Sequence, residues 1–355
     1  LSLGLLTEIP ATNFLPRDIQ IDDFSRLILS GVTQSGKTSL IFYHLLEKRN
    51  FLYIDFDEVN IEETLKNIKK IVSEHRAKIL VLDIYNYPIE NKLEDILSIK
   101  NLSLIIVSWR YFEFDCFSNV KLKPLNFEEF ISFKSGIESI EHSFLRYSQI
   151  GGFPIFAKYS DNFLFKHVKR LLYFALSDLE IAILEDIANN IGVSRTRFNI
   201  FTSLREKRKV SKDKIYPTIE KLERDGFIIA VKEFERINNK RYYLIDQAIQ
   251  NSFSKKRNFL QLFENMVISE VYKRGEEGIF LNNVDLFIEE DLRIILPLPF
   301  VERDTLQRAI QKRLKNIKKL RAKKVEIITM SFDAVFSFEN IDIEAIKFTS
   351  WALSR

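Results

Sequence analysis

The sequence predicts an α/β fold built on a parallel sheet, followed by smaller units of mixed character. Three observations lead there. Short apolar runs alternate with helical patterns between Ser25 and Val107, a Gly-x-x-x-x-Gly-Lys-Thr loop joins the first run to the first helix, and beyond residue 177 helices give way to a pair of β-rich runs. The 355 residues suit two or three domains. With 46% apolar residues, 29% charge, and 31 Phe against 10 Gly and 8 Pro, a disordered or collagen-like chain is excluded.

Four runs read as buried strands: Arg26 to Ser30, Phe51 to Asp55, Lys78 to Asp83 and Leu102 to Val107. Between them, Thr38 to Arg49, Ile61 to Arg76 and Leu93 to Ile99 carry helical spacing, the rhythm of a sheet covered on both faces. After Pro124 the segments are mostly helical, with a hinge or helix start at Gly151-Gly152-Phe153-Pro154. Residues 179 to 245 give three helical patterns and then two β-rich runs, Gly226 to Val231 and Arg241 to Ile245, the order of a winged helix. A further α/β unit follows: a helix over Phe259 to Arg274, strands at Val284 to Ile288 and Leu292 to Leu296, a basic helix over Val301 to Ala322, and a strand over Val325 to Met330. The domains expected are 1–122, 123–176, 177–250 and 258–355.

The lone Cys116 forbids an internal disulfide, and with 4 scattered His it leaves no metal-finger spacing. The N-terminal stretch from Leu1 meets Glu8 and Pro10 too soon for a signal peptide. No run reaches the roughly 18–20 uncharged apolar residues of a membrane span, since even Leu171 to Leu184 holds Asp178 and Glu180. A cytoplasmic protein without a membrane partner is the expectation.

Gly31, Val32, Thr33, Gln34, Ser35, Gly36, Lys37, Thr38 and Ser39 form the phosphate-loop candidate. The glycines let backbone N–H groups wrap phosphates, the helix start adds partial positive charge, Lys37 neutralises β and γ oxygens, and Thr38 can ligate magnesium. Asp83, ending an apolar run, supplies the second hard oxygen for Mg²⁺. The alternatives are a tight turn with a solvated lysine, and a capping Asp. Hydrolysis also needs a group that orients water, yet Asp83 is followed by Ile84 and Tyr85. Asp55, Asp57 and Glu58 can substitute from the neighbouring strand end, or stand there merely solvated. Ser108 and Arg110, at the end of the fourth strand, are candidates for sensing the γ-phosphate and stabilising transferred charge.

Taken together, the chain resembles the prokaryotic family of predicted AAA-type ATPases fused to a winged helix and a degenerate restriction-endonuclease-like domain. The resemblance rests on Gly31 to Thr38, Tyr53 to Asp57, Leu80 to Asp83, Lys123 to Phe130, Gly151 to Pro154, Arg241 to Asp246 and Phe263 to Val267. It implies a P-loop AAA-type parallel sheet with a helical lid, ATP and Mg²⁺ as cofactors, and Pro154 near the adenine; the oligomeric state is left open. The family usually has Asp-Glu where this chain has Asp83-Ile84, and Gly-Ser where it has Val107-Ser108, which implies that binding outlasts turnover. In the C-terminal unit Asp285 fits the first nuclease position. The next strand lacks the Glu-x-Lys pair, so no nuclease activity is expected and Glu264 and Asp285 read as relics or structural partners.

The net charge of +4 is too mild to announce nucleic acid, but it is unevenly spread. Arg195 to Arg241 holds 14 Lys and Arg against 7 Asp and Glu, and Arg303 to Lys324 holds 10 basic residues against one Asp. If Ser211 to Asp225 is a recognition helix, Arg195, Arg197, Lys212 and Lys214 meet phosphates of double-stranded DNA and Arg241 serves the wing. Solubilising helix faces, or a protein partner of a nucleotide-gated switch, are the competing readings.

Overall fold

The computed structural model describes residues 4–10, 14, 17, 19, 21, 25–85, 87–133, 138–158, 164–236, 238–256 and 258–354. Residues 1–3 of the N-terminal stretch, and 134–137 and 159–163 of the expected lid, lie outside them. The chain divides into two compact units, Leu1–Lys123 and Pro124–Arg355.

In the first unit the elements run β1 (Leu5–Leu6), β2 (Arg26–Ser30), α1 (Lys37–Leu45), β3 (Phe51–Asp55), α2 (Ile61–Lys66), α3 (Ile68–Glu74), β4 (Ile79–Tyr85), α4 (Leu93–Leu97), β5 (Ser103–Ser108) and β6 (Ser118–Lys121). The strands form one sheet in the order β1-β3-β4-β5-β2-β6, with every pairing parallel except β1 with β3. Both faces are apolar. Leu27, Leu29, Val81, Ile105 and Val107 pack with Leu40, Ile41 and Leu45 of α1, while Ile28, Leu52, Ile54, Leu80 and Ile106 pack with Leu65, Ile68, Val72 and Ile96 of α2 to α4. The strand leading into the glycine loop therefore lies between β5 and β6, separated by β4 and β5 from β3, which follows it in the chain. Such a crossing-over of strand order opens a crevice at the carboxyl ends of a parallel sheet.

The helix expected over Ile61 to Arg76 is two helices. Asn67 sits at φ −102, ψ 8, and its side-chain amide donates to the Glu63 carbonyl at 3.0 Å, a local bond that competes with helix continuation. The sequence reading omits β1 and β6. The first is only two leucines long and the second mostly polar, and each is a strand because β3 and β2 offer an edge.

The second unit begins with α5 (Phe127–Ser132), α6 (Ile140–Ile150), α7 (Pro154–Lys158), α8 (Leu164–Ala175) and α9 (Asp178–Ala188). Next come β7 (Ser194–Arg195), α10 (Arg197–Arg205), α11 (Lys212–Arg224), β8 (Ile228–Glu233), β9 (Lys240–Leu244), α12 (Gln247–Phe253) and α13 (Phe259–Lys273). The remainder is β10 (Ile279–Leu281), β11 (Val284–Ile288), β12 (Arg293–Pro297), α14 (Leu306–Gln311), α15 (Leu314–Lys319), β13 (Lys324–Thr329), β14 (Ala334–Phe338), β15 (Ile341–Lys347) and α16 (Phe348–Leu353). Pro217 lies within α11 without ending it.

The hydrogen bonding does not stop at the boundary expected between residues 250 and 258. All strands of this unit belong to one nine-stranded sheet, in the order β14-β15-β13-β12-β11-β10-β8-β9-β7. The join is parallel pairing of β8 with β10, Lys232 opposite Ile279 and Glu233 opposite Phe280. The basic helix expected over Val301 to Ala322 is a 3₁₀ turn at Arg303–Thr305 followed by α14 and α15.

The α5–α8 segment, expected as a separate lid, is bonded into this unit by a buried polar network. Asp246, fully buried, accepts from the Gly152 N–H and the Lys273 ammonium at 2.8 Å each and from the Ala248 N–H at 2.9 Å. Glu270, also fully buried, accepts from the Phe127 N–H and the Tyr147 hydroxyl at 3.0 Å each, and from Arg274 at 3.1 Å. The approach explains the paired glycines. A Cβ on Gly151, whose φ is 72°, would lie 1.8 Å from the Asp246 Oδ1, and one on Gly152 would lie 2.1 Å from the Leu125 carbonyl oxygen. Removing one partner of a buried pair strands the other charge. Lys273→Met is expected to cost the second unit about 3–5 kcal/mol in chemical denaturation, and adding Asp246→Asn to return part of that loss.

Candidate phosphate-binding site

Beyond Ser30 the chain leaves β2 through Gly31 at φ 151°, where a Cβ would stand 2.2 Å from the Leu122 carbonyl oxygen. Gln34 and Gly36 take φ 63° and 93°, and α1 begins at Lys37. Its first turn contains no acidic residue and its Gly36 cap has no side chain to offer, so the amides of the helix start are not met by a capping side chain. The Ser35 hydroxyl is buried in the same loop without a hydrogen-bond partner among the described residues. Loop amides, a helix start and an unsatisfied hydroxyl are donors suited to an anion.

Lys37 is 5% exposed, and its ammonium donates to the Gly31 and Val32 carbonyls at 2.9 and 3.0 Å. Burial lowers its pKa to about 8, opposed by the charge of Asp83. Thr38 donates its hydroxyl to the Asp83 Oδ2 at 2.8 Å, and the Tyr53 hydroxyl donates to the same oxygen at 2.7 Å. Burial pushes the Asp83 carboxyl up, while Tyr53, Thr38 and Lys37 pull it down. Lys37, Thr38 and Asp83 are thus brought together as the sequence reading required, and Thr38 with Asp83 is a donor set that fits Mg²⁺, which takes few protein ligands and keeps several waters.

Strand parity decides the carboxylates. Asp83 lies on the α1 face, whereas Ile84 is buried on the opposite face among Ile54, Phe56 and Ile89, so an acid at 84 would enter an apolar cluster. Asp55 is opposite Asp83 in the β3–β4 pairing and accepts from the Asp57 N–H at 2.9 Å and from the Tyr85 hydroxyl at 3.4 Å. Burial, then the charges of Asp55 and Glu58, raises the pKa of the exposed Asp57. Tyr85 holds φ 52° at a register shift between β4 and β5, an uncommon angle for an aromatic residue, and burial, then the charges of Asp83, Asp55 and Asp57, pushes its phenol up. Glu58 is exposed and lies against Gly4 beside β1.

Ser108 does not present its proton outward as a phosphate sensor would. The hydroxyl donates to the Tyr85 carbonyl at 2.9 Å and accepts from the Arg110 N–H at 3.0 Å, which fixes the strained turn after β4. Arg110 is half-buried just beyond β5. Pro154 is the first residue of α7 in the second unit. Two participants are absent from the sequence reading. Tyr53 shares the α1 face with Asp83, which is visible only once strand register is known, and Arg17 donates to the Ser35 and Lys123 carbonyls at 2.9 and 3.0 Å from a segment with no motif.

In the second unit the expected basic face is largely neutralised. Arg195 bonds the buried Asp186 at 2.5 Å, Arg197 pairs with Glu220, and Arg241 bonds Asp285 at 2.8 Å over the Phe280 ring. Arg195 and Arg241 are thus held in ion pairs, and using either on DNA would leave a carboxylate unpaired. Lys212 and Lys214 are exposed at the start of α11, with Lys212 over the Phe198 ring at 4.6 Å. Arg197 lines a groove of about 960 Å³ with Tyr216, Lys232, Lys240 and Tyr242. Glu264 accepts from the Tyr243 hydroxyl at 2.7 Å and lies 4.0 Å from Arg241, so Glu264 and Asp285 flank one guanidinium. Among the described residues no three His, Cys, Asp or Glu stand together to hold a metal. No described helix is long and apolar enough to cross a membrane.

No protein-family profile matches the chain. An uncharacterized protein of Methanocaldococcus jannaschii is 24% identical over 406 aligned residues, covering 95% of this chain and 91% of the relative. Among solved structures, the Walker-type ATPase of Pyrococcus abyssi aligns with a TM-score of 0.41 at 15% identity, over 65% of this chain and 91% of its own. The Orc1 protein of Aeropyrum pernix, solved in complex with DNA, aligns with a TM-score of 0.29 at 12% identity, over 65% of this chain and 86% of its own.

The lowered pKa of Lys37 sets a sign for pH dependence. Between about 8 and 10.5 the unfolded chain holds a proton that the folded chain has released, so this lysine adds stability as pH rises across that window. A denaturation series on wild type and Lys37→Met is expected to show a gain in the wild type over that range that the variant lacks.

Proposed function

We propose that the first unit is an AAA-type nucleoside-triphosphate site, an Mg²⁺-dependent ATPase of slow turnover, whose nucleotide state governs DNA binding by the second unit. One observation carries it: Lys37, Thr38 and Asp83 converge at the start of α1, beneath a loop that turns at Gly31, Gln34 and Gly36. The amides from Val32 to Ser39 would wrap the phosphates, and Lys37 would exchange two carbonyl partners for β and γ oxygens. Thr38 and Asp83 would hold the magnesium, whose chemistry is neutralisation of the charge on those oxygens.

Slow turnover follows from the face of the sheet on which each carboxylate stands. With Ile84 buried, water orientation falls to Asp57, whose raised pKa suits a base, with Glu58 farther out and Arg110 as a source of positive charge. The helix order of α9, α10 and α11 followed by the β8–β9 hairpin supports a winged helix, with Lys212, Lys214 and Arg197 as its DNA-facing cations. A second reading, a nucleotide-gated switch that holds a protein partner, is favoured by the neutralised Arg195 and Arg241.

Titration of ATP in magnesium is expected to show saturable binding to wild type and at least tenfold weaker binding to Lys37→Ala; equal affinities would overturn the site. Phosphate release is expected to be slow and to rise when duplex DNA is added. No change with DNA, together with recovery of one stoichiometric protein in a pull-down, would favour the second reading.

A further inference from the structure

The segment from Thr305 to Val325 contains no acidic residue, and its inward positions Leu306, Ile310, Ile317 and Leu320 are buried in the apolar core beside β13. Every fully exposed position from Leu306 to Lys323 is therefore Gln, Lys or Arg. Three of the cations in this stretch are spoken for: Lys318 pairs with Glu339, Lys319 with Glu235, and Arg313 donates to the Ala309 carbonyl. Arg308, Lys312, Lys315, Arg321 and Lys323 form no ion pair among the described residues and project into solvent. Arg308 stands on α14, Lys312 in the turn that joins the two helices and Lys315 in the first turn of α15, so the unpaired cations run along the connected segment.

We propose that this outer face of α14 and α15 is the principal phosphate-contacting surface of the second unit, taking the sugar–phosphate backbone of duplex DNA without reading base sequence. The proposal rests on the DNA half of the function proposed above and moves its main footprint away from α11. Charge decides between the two surfaces. The 14 cations between Arg195 and Arg241 are interleaved with 7 acids, and the innermost of them are bound to carboxylates, whereas here no acid intervenes in the sequence and the paired lysines, Lys318 and Lys319, lie apart from Arg308, Lys312 and Lys315 along the chain. The polymer is chosen by what accompanies the charge. Gln307 and Gln311 on the same exposed surface donate to phosphate and sugar oxygens, and from 302 to 324 no large apolar side chain is exposed to enter a bilayer.

The test is duplex binding by the full chain from 50 to 200 mM salt, for wild type, for Arg308→Gln/Lys312→Gln/Lys315→Gln and for Lys212→Gln/Lys214→Gln. The first variant is expected to bind at least tenfold more weakly, with its log–log salt slope reduced by about 2.7 for three lost phosphate contacts, and the second to change less than threefold. The charge-preserving Arg308→Lys/Lys312→Arg/Lys315→Arg chain should bind like wild type, which excludes a folding defect as the cause. The opposite ranking of the two Gln variants would overturn the proposal and leave the α11 reading intact. No binding of duplex by wild type would overturn both, and binding instead to phosphatidylserine vesicles, lost in the first variant, would reassign the surface to a membrane.

Discussion

A carboxylate withdrawn from water must be met by fixed donors, and both units are organised around that constraint. In the first, Asp83 takes hydrogen bonds from Thr38 and Tyr53 on a single oxygen, which ties α1 and β3 to the end of β4. The helix start, the loop before it and the acid across from it therefore share one geometry. In the second unit Asp246 and Glu270 play the same part on a larger scale, fixing the start of α5, the glycine turn before α7 and the end of α13. The polar groups that hold each unit together are thus also those that set the positions of its loops.

Much of the first unit is legible in the chain because its information is local. The strand-and-helix rhythm, the glycine spacing and an Asp closing an apolar run are each written within a few consecutive residues, and β2, β3, α1 and the choice of Thr38 and Asp83 as partners follow from those local signals. What escapes is information held between strands. Strand β6 has no apolar signature and exists through its pairing with β2, while the union of β8 with β10 links segments more than forty residues apart in the chain. Tyr53 is an ordinary core aromatic until the register of β3 against β4 places it below Asp83. The departure at Ile84 is visible in sequence, but its reason, burial on the other face of the sheet, is not.

Charge shows the same division. A count of residues registers basic excess in both Arg195 to Arg241 and Arg303 to Lys324, and treats them alike. The fold does not. Asp186 and Asp285 reach in from outside the first segment to occupy Arg195 and Arg241 where they are nearly buried, while Glu339 and Glu235 take only Lys318 and Lys319 of α15 and leave Arg308, Lys312 and Lys315 exposed. Local composition reports how many cations are present; only tertiary placement reports how many have been used.

The unbroken ladder from β7 to β14 carries the sheet of the β8–β9 hairpin on into the C-terminal hundred residues. A chain ending near residue 256 would leave the flank of β8 from Lys232 to Glu233 with unsatisfied backbone donors and acceptors, a raw edge able to recruit strands from other molecules.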